Sequence, residues 1–365
     1  MAGELLAKYG WNDYGEVLTI ADKNEVWHME IVGPGKGKVG SVWAAQRVPN
    51  DHISVNANAS TIKEINLDNK DYFMASDNVY EVAKENGWWN SDKQEFKFCY
   101  AYAPNSRTSF ASRRREWRVF NLLAPSLKLD PNDKDYPFSV KPDTLVTLEA
   151  LIDVFRDYYE GTPFDMTKNI KVTDKDGKSI ISPLASPHMP YDANDLYGVN
   201  GGWNELGERT IARWYTMYAT IIQLRNWLPD EIGGVEWLAM DNVATSIYVP
   251  IYGCVTDLPS QYKTPGRING YSLESAWWIF NRLGTLTSQR WGDMRHDVDA
   301  VWIPMQKQLI DEQKDVDQQA LELYHRNKKS AIEFLNEYSN EEGEKVMKEA
   351  IKLGDFLWTK YDEKF

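Results

Sequence analysis

Five histidines, two cysteines and a scatter of carboxylates are the side chains here that could do chemistry. His28, His52, His188, His296 and His325 lie far apart, and none falls in a His-Glu-x-x-His pattern. A zinc-peptidase helix is therefore unsupported. Cys99 and Cys254 have neither disulfide nor zinc-site spacing, and free cysteines usually pack as small apolar groups. No Gly-x-Ser-x-Gly elbow is present. Gly33-Pro34-Gly35-Lys36-Gly37 is rich in glycine but lacks the Gly-Lys-Ser/Thr ending and the following helix of a phosphate loop. Asp130, Asn132, Asp133 and Asp135 gather oxygens suited to calcium. The glycine and distal glutamate of an EF-hand are absent, which makes a solvated turn the simpler reading. A glycosidase needs two facing carboxylates; 54 acidic residues supply candidates without selecting a pair.

Composition narrows the classes further. The 365 residues carry 41 Lys and Arg against 54 Asp and Glu, a formal charge of −13. Such a surface repels phosphate backbones and anionic bilayers, so neither nucleic acid nor a membrane is an expected partner. No apolar run is long enough to span a bilayer. A soluble protein is expected, cytoplasmic or exported. At 42% hydrophobic residues the chain has material for a real core. The 15 Trp, 20 Tyr and 12 Phe fit a large aromatic core, or the lining of a cleft for peptides or sugars.

The elements that would position these groups begin with a helix carrying Leu5, Leu6 and Tyr9 on one face, with Gly10 as its C-cap. A hairpin follows: residues 16–21, a turn at Asp22-Lys23-Asn24, then residues 25–32. Trp27, Met29 and Ile31 form an apolar face; Val26, His28 and Glu30 form a mixed one. Residues 41–46 and 53–57 add two strands, giving a four-stranded antiparallel meander. Helices are predicted over 76–86, with Ser76 and Asp77 as cap candidates, over 111–123 and over 145–159. Asp174-Lys175-Asp176-Gly177 reads as a hairpin turn. Residues 180–300 are rich in Pro, Gly and Trp and suggest short strands mixed with irregular structure. Helices are predicted over 305–325, 328–338 and 340–360, the last opened by a Ser339–Glu342 capping box. The class is α+β, and residue chemistry by itself stops at a large α+β protein with an aromatic, acidic cleft.

A resemblance carries the reading further. Residues 16–31 (EVLTIADKNEVWHMEI), 43–62 (WAAQRVPNDHISVNANASTI) and 112–126 (SRRREWRVFNLLAPS) resemble the bacterial dipeptidase family of N-terminal-nucleophile cysteine hydrolases. These are related to penicillin V acylase and bile salt hydrolase. Residues 137–142, 159–167, 223–237 and 271–280 continue the resemblance in family order. It implies an αββα sandwich, with the Trp-rich middle region and the C-terminal helices attached. Residues 1–300 would form the hydrolase-like domain, and 301–365 a helical segment packed on it. It also implies peptide-bond hydrolysis through a terminal cysteine. That thiol attacks the carbonyl while its own α-amine, with a pKa of about 7.7–8.0, serves as base. No cofactor or metal is implied.

Two site residues follow from the resemblance. Asn58, at the end of Ile53-Ser54-Val55-Asn56-Ala57-Asn58, corresponds to the asparagine whose amide stabilises the oxyanion; Asn56 is the fallback, and an ordinary turn residue the alternative. Arg115 of Arg115-Glu116-Trp117-Arg118 corresponds to an arginine near the nucleophile. Arg113 and Arg114 compete for that role, and a basic stripe on a helix surface is the alternative.

The family's nucleophile and the section that follows it have no counterpart near Met1, and Cys99 and Cys254 are wrongly placed to replace it. The resemblance is thus to the family without its N-terminal section: a truncated product, the larger part of a split enzyme, or a member that lost catalysis. The expectation is an incomplete sandwich that does not hydrolyse dipeptides alone. It would pair with an N-terminal fragment of the same enzyme or with a second copy through exposed strand edges, or dissolve poorly. The competing class is a non-catalytic protein that binds peptides or glycans in the same cleft.

Overall fold

The computed structural model describes residues 2–9, 15–187 and 208–364. They fall into two compact units, Met1–Val146 and Thr147–Phe365. Both mix helix and strand, so the class is α+β.

The first unit is built on a sheet. Strands β1 (Glu16–Ala21), β2 (Val26–Val32) and β3 (Val42–Val48) form an antiparallel meander, with Glu30 facing Val17 on one side and Ala44 on the other. Asp22 makes the first turn: its Oδ1 accepts the N–H groups of Asn24 at 2.7 Å and Glu25 at 2.9 Å. These two bonds favour the ionised form and hold its carboxyl below the usual range.

Both faces of β2 and β3 are covered. On one, Met29, Ile31 and Ala45 pack with Trp27, Trp43 and Leu6 of the helix Ala2–Tyr9. The helix lies so close that a Cβ on Gly3 would come 2.3 Å from the Trp43 indole nitrogen. On the other, Val32, Val42 and Ala44 pack with Ile62, Val79, Val82 and Phe98. Each such large apolar side chain contributes about 1.5–3 kcal/mol by leaving water.

Three expectations for this unit change. The fourth strand shrinks to β4 (Ile53–Ser54) and leaves the meander to pair with β6 (Ser139–Val140); β5 (Phe73–Ala75) takes the fourth place beside β3. The cause is local. The Asn56 side-chain amide donates to the Ala59 carbonyl, and Asn58 takes a left-handed φ of 56°, so the chain bends where a strand would run on. The same bend ends the strand before Asn56 and Asn58, so simple strand alternation does not relate the two. The helix over 76–86 contracts to Glu81–Glu85, because the Ser76 hydroxyl accepts the Trp43 N–H at 3.1 Å instead of capping.

The helix Phe110–Leu123 forms as expected, opened by Ser109, whose Oγ accepts the Ser112 N–H. Trp117 and Phe120 are its buried face. The 130–137 segment is a loop in which Asp130 Oδ1 accepts the Asn132 N–H at 2.8 Å.

In the second unit, Thr147 caps the helix Leu148–Arg156. β7 (Lys171–Thr173) and β8 (Ser179–Ile181) form the hairpin expected at Asp174–Gly177. The described part of the Trp-rich region is more regular than its composition suggests. β9 (Tyr218–Leu224), β10 (Gly234–Met240) and β11 (Val249–Tyr252) form an antiparallel sheet in the order β11-β10-β9, followed by the helix Ala276–Gln289. Residues 188–207, His188 among them, and Gly10 lie outside the described residues.

Two long helices follow, Trp291–Arg326 and Lys328–Lys360. The break and capping box expected at Ser339–Glu342 do not occur. Ser339 is buried mid-helix, and its hydroxyl accepts the Tyr252 N–H of β11 at 3.3 Å. Gln306 does the same just before β11, accepting the Tyr248 N–H at 2.8 Å and donating to its carbonyl at 3.0 Å.

Candidate functional site

Asn58 and Arg115, far apart in sequence, are brought together. The helix Phe110–Leu123 carries Arg115, whose NH1 donates to Asn58 Oδ1 at 3.0 Å and whose NH2 donates to the Ala57 carbonyl at 3.2 Å. Its Nε donates to Ala111 one turn back, which fixes the plane of the guanidinium. The neighbouring arginines point elsewhere. Arg113 bonds the Asp133 carbonyl, and Arg114 bonds the Pro131 carbonyl at 2.7 Å while lying over the Phe110 ring. Successive helical side chains diverge by about 100°, so only one of three adjacent arginines can face the bend.

A guanidinium only donates, so it must hold the oxygen of the Asn58 amide. The NH2 end of that amide is thereby turned away from Arg115 as a donor. Asn58 is solvent-exposed and sits in the wall of a cavity of about 740 Å³. The other walls are Gly15–Val17 of β1 and its lead-in, Glu30–Val32 of β2, the bend from Asn56 to Ser60, and Ala103 and Ser106. An exposed amide donor with a fixed orientation is the kind of group that stabilises developing oxyanion charge. Asn56, the fallback, also borders the cavity, but its NH2 is engaged by the Ala59 carbonyl.

Below the bend lies a buried polar layer that sequence reasoning missed. Glu30, 2% exposed, receives the Ser60 hydroxyl, the Thr61 N–H at 2.5 Å and the Ile62 N–H at 3.1 Å. Ser60 is held again through its N–H by Ser106 Oγ at 3.0 Å and through its carbonyl by Arg107 at 3.3 Å. Arg107 is buried and bonds both oxygens of Glu116, at 3.0 and 3.2 Å, and Asp135 at 3.2 Å. Burial raises the Glu116 carboxyl, and Arg107 offsets part of that. The signal in the sequence was an acidic residue placed between Met29 and Ile31, two residues from His28 on the mixed face of the strand.

Neither cysteine is suited to attack. Cys99 is fully buried, and burial pushes its thiol up to about 12. Cys254 belongs to the second unit, is partly buried, and is also raised by burial. A thiolate is the nucleophilic form, so both are poor nucleophiles near neutral pH. The acidic loop does not form a metal site: among the described residues no group of three or more His, Cys, Asp or Glu side chains is arranged to hold a metal ion. No helix of the described residues is long and apolar enough to cross a membrane.

An α+β chain whose ordered asparagine amide and arginine border one cavity fits the amide-hydrolysing class that its sequence resembles. Residues 1–303 match the model of Peptidase family C69, and the chain belongs to that family, a cysteine peptidase family of N-terminal-nucleophile type. It is similar to a probable dipeptidase of Latilactobacillus sakei, at 24% identity over 82% of this chain and 55% of the relative. It is similar to probable dipeptidase B of Lactococcus lactis subsp. lactis (strain IL1403), at 26% over 81% and 54%. It is similar to dipeptidase A of Lactobacillus helveticus, at 24% over 81% and 53%. The chain thus spans about half the length of these curated relatives.

Proposed function

We propose that this chain supplies the oxyanion-binding part of a dipeptidase that cleaves peptide bonds through a cysteine acyl-enzyme, within an αββα sandwich of the N-terminal-nucleophile type. The observation that carries the reading is the Arg115–Asn58 bond, which leaves the Asn58 amide as an oriented donor at the wall of a substrate-sized cavity. In this reading Asn58 Nδ2 donates to the carbonyl oxygen as it gains charge, and Arg115 is the group that orients it. The attacking thiol is neither Cys99 nor Cys254, for the reasons of burial given above, and comes from polypeptide other than these 365 residues. The chain alone is therefore inactive. Its substrates are dipeptides with a free amine, and its partner is an N-terminal fragment of the same enzyme or a second copy.

The test is an assay of dipeptide hydrolysis by the purified chain. It is repeated after co-expression with a segment that presents an N-terminal cysteine, such as the front part of the L. sakei relative. No turnover alone, turnover with the added segment, and loss of that turnover in Asn58→Ala are expected. Hydrolysis by the chain alone, abolished by Cys99→Ala or Cys254→Ala, would overturn the reading. Dipeptide binding that Asn58→Ala leaves intact, with no turnover in any combination, would favour a binding protein instead.

A further inference from the structure

We propose that Glu30 is a positioning residue for the Asn58 amide: its buried carboxylate locks residues 60–62 and thereby fixes the bend that presents Asn58 to the cavity. The proposal rests on the reading of Asn58 as an oxyanion donor and adds a second anchor, on the residues that follow the bend.

The bend runs from Asn56 to Ala59, and the chain that leaves it passes directly over Glu30. Four donors from that chain converge on the one carboxylate: the Ser60 hydroxyl, the Thr61 N–H at 2.5 Å, the Thr61 hydroxyl at 3.1 Å and the Ile62 N–H at 3.1 Å. His28 Nε2, on the same face of β2, lies 3.2 Å from Oε1. Oε1 takes three of these donors and faces His28, and Oε2 takes the Ser60 hydroxyl, so both oxygens are engaged. None of these partners is a lysine or arginine. A buried carboxylate is costly, and an apolar residue would pack here more cheaply. What the carboxylate does that an apolar side chain cannot is accept several bonds at once from neighbouring residues of one segment.

Glu30 is well placed to act as a fixed point. It sits mid-way along β2, the strand paired on both sides, and borders the same cavity as Asn58. Arg115 ties Ala57 and Asn58; Glu30, with Arg107 and Ser106 on Ser60, ties the residues after them. The left-handed φ of Asn58 costs energy in an unconstrained loop, and it persists where both flanks are held. Glutamine at position 30 has the same shape but no charge. Its NH2 meets either the Thr61 and Ile62 N–H groups, a donor–donor conflict, or the Ser60 hydroxyl, which must then turn to accept, so the hold on the segment weakens.

The experiment follows Asn58 itself. The purified chain is labelled with 15N-asparagine, and the Asn58 side-chain amide signal is assigned by its loss in Asn58→Asp. In Glu30→Gln that signal should shift or broaden while asparagine signals of the second unit stay in place. Thr61→Val, which removes one donor and leaves the carboxylate, should move it less. If Glu30→Gln does not fold, Thr61→Val and Ser60→Ala decide the matter in the same way. An Asn58 signal unmoved in every folded variant overturns the proposal. In an active assembly, Glu30→Gln should lower kcat by roughly 10- to 100-fold, as for small misplacements of catalytic groups, with KM within about threefold. An unchanged kcat overturns the proposal. Absence of activity in every assembly ends the dipeptidase reading instead, and the amide spectra still decide the role of Glu30.

Discussion

Of the five described non-glycine residues with positive φ, Asn58 and Asp241 differ most usefully in what surrounds them. Asn58 and Asp241 have φ of 56° and 58°, the left-handed region that few side chains other than Asn and Asp enter. Asn58 is exposed, its oxygen is held by Arg115, and its amide borders a cavity. Asp241 is buried at the end of β10; Asn281 donates to its Oδ1 at 3.0 Å, and its Oδ2 has no hydrogen-bond partner among the described residues. Burial pushes the Asp241 carboxyl up to about 6. The difference teaches that backbone strain alone does not mark a site. Strain coupled to an oriented, accessible donor points to chemistry. Strain coupled to a sealed carboxylate makes stability depend on pH.

The largest expected effect is on the Asn58 side. In an active assembly Asn58→Ala should cost about 10²–10³ in kcat, the loss typical of one oxyanion donor. A loss below tenfold would place Asn58 with Asp241 among residues kept for the fold.

The next effect falls on Asp241. Its folded-state pKa of about 6 lies above the ordinary 3.8. Below that ordinary value the group is protonated in both states and the fold carries no penalty. As pH rises from about 3.8 to about 6 the unfolded state ionises while the buried group stays protonated, so stability falls by up to roughly 3 kcal/mol and levels off above that. Asp241→Asn, neutral at every pH and at home at positive φ, should therefore be more stable than wild type above pH 6 and similar to it near pH 4. Denaturant unfolding across that range checks the sign; equal stabilities at pH 8 would refute the account.

Gly284 faces the same carboxylate, and a Cβ there would come 2.8 Å from Asp241 Oδ2. Gly284→Ala should destabilise by about 1–3 kcal/mol, as overpacking does, measured by the shift in denaturation midpoint. The smallest effect sharpens the comparison from the other side. Asn58→Gly keeps the backbone free to adopt its φ, so stability should change by no more than about 1 kcal/mol, while the activity loss should match that of Asn58→Ala. A large stability change would show that Asn58 serves the fold as well as the cavity.

Much of the frame was legible from the residues. The β1–β2 hairpin and β3 follow from apolar runs broken by Asp22-Lys23-Asn24 and the glycine loop, and the helix expected over 111–123 follows from apolar spacing, its Ser109 cap being visible only in the structure. Local pattern failed where a polar side chain served a distant backbone group. Ser76 and Ser339 read as helix caps because they precede helical stretches. Each instead satisfies an N–H of a strand, Trp43 and Tyr252 respectively, which no local pattern reveals. Residues 53–57 read as a strand because they alternate, yet Asn56 bonding to Ala59 turns the chain. Asn58 and Arg115 were named through resemblance, and the direction of each side chain needed the structure. Glu30 was placed on the mixed face of its strand, but its burial and its grip on residues 60–62 needed the structure, because an acid on such a face looks solvent-facing.

The two thiols also make the molecule its own reporter. Cys99 is sealed in the first unit, whereas Cys254 is only partly covered in the second. An alkylating reagent reaches Cys99 only when the first unit opens, so its modification rate is a clock for that opening event. Read beside Cys254, it measures how independently the two halves breathe, with no label introduced.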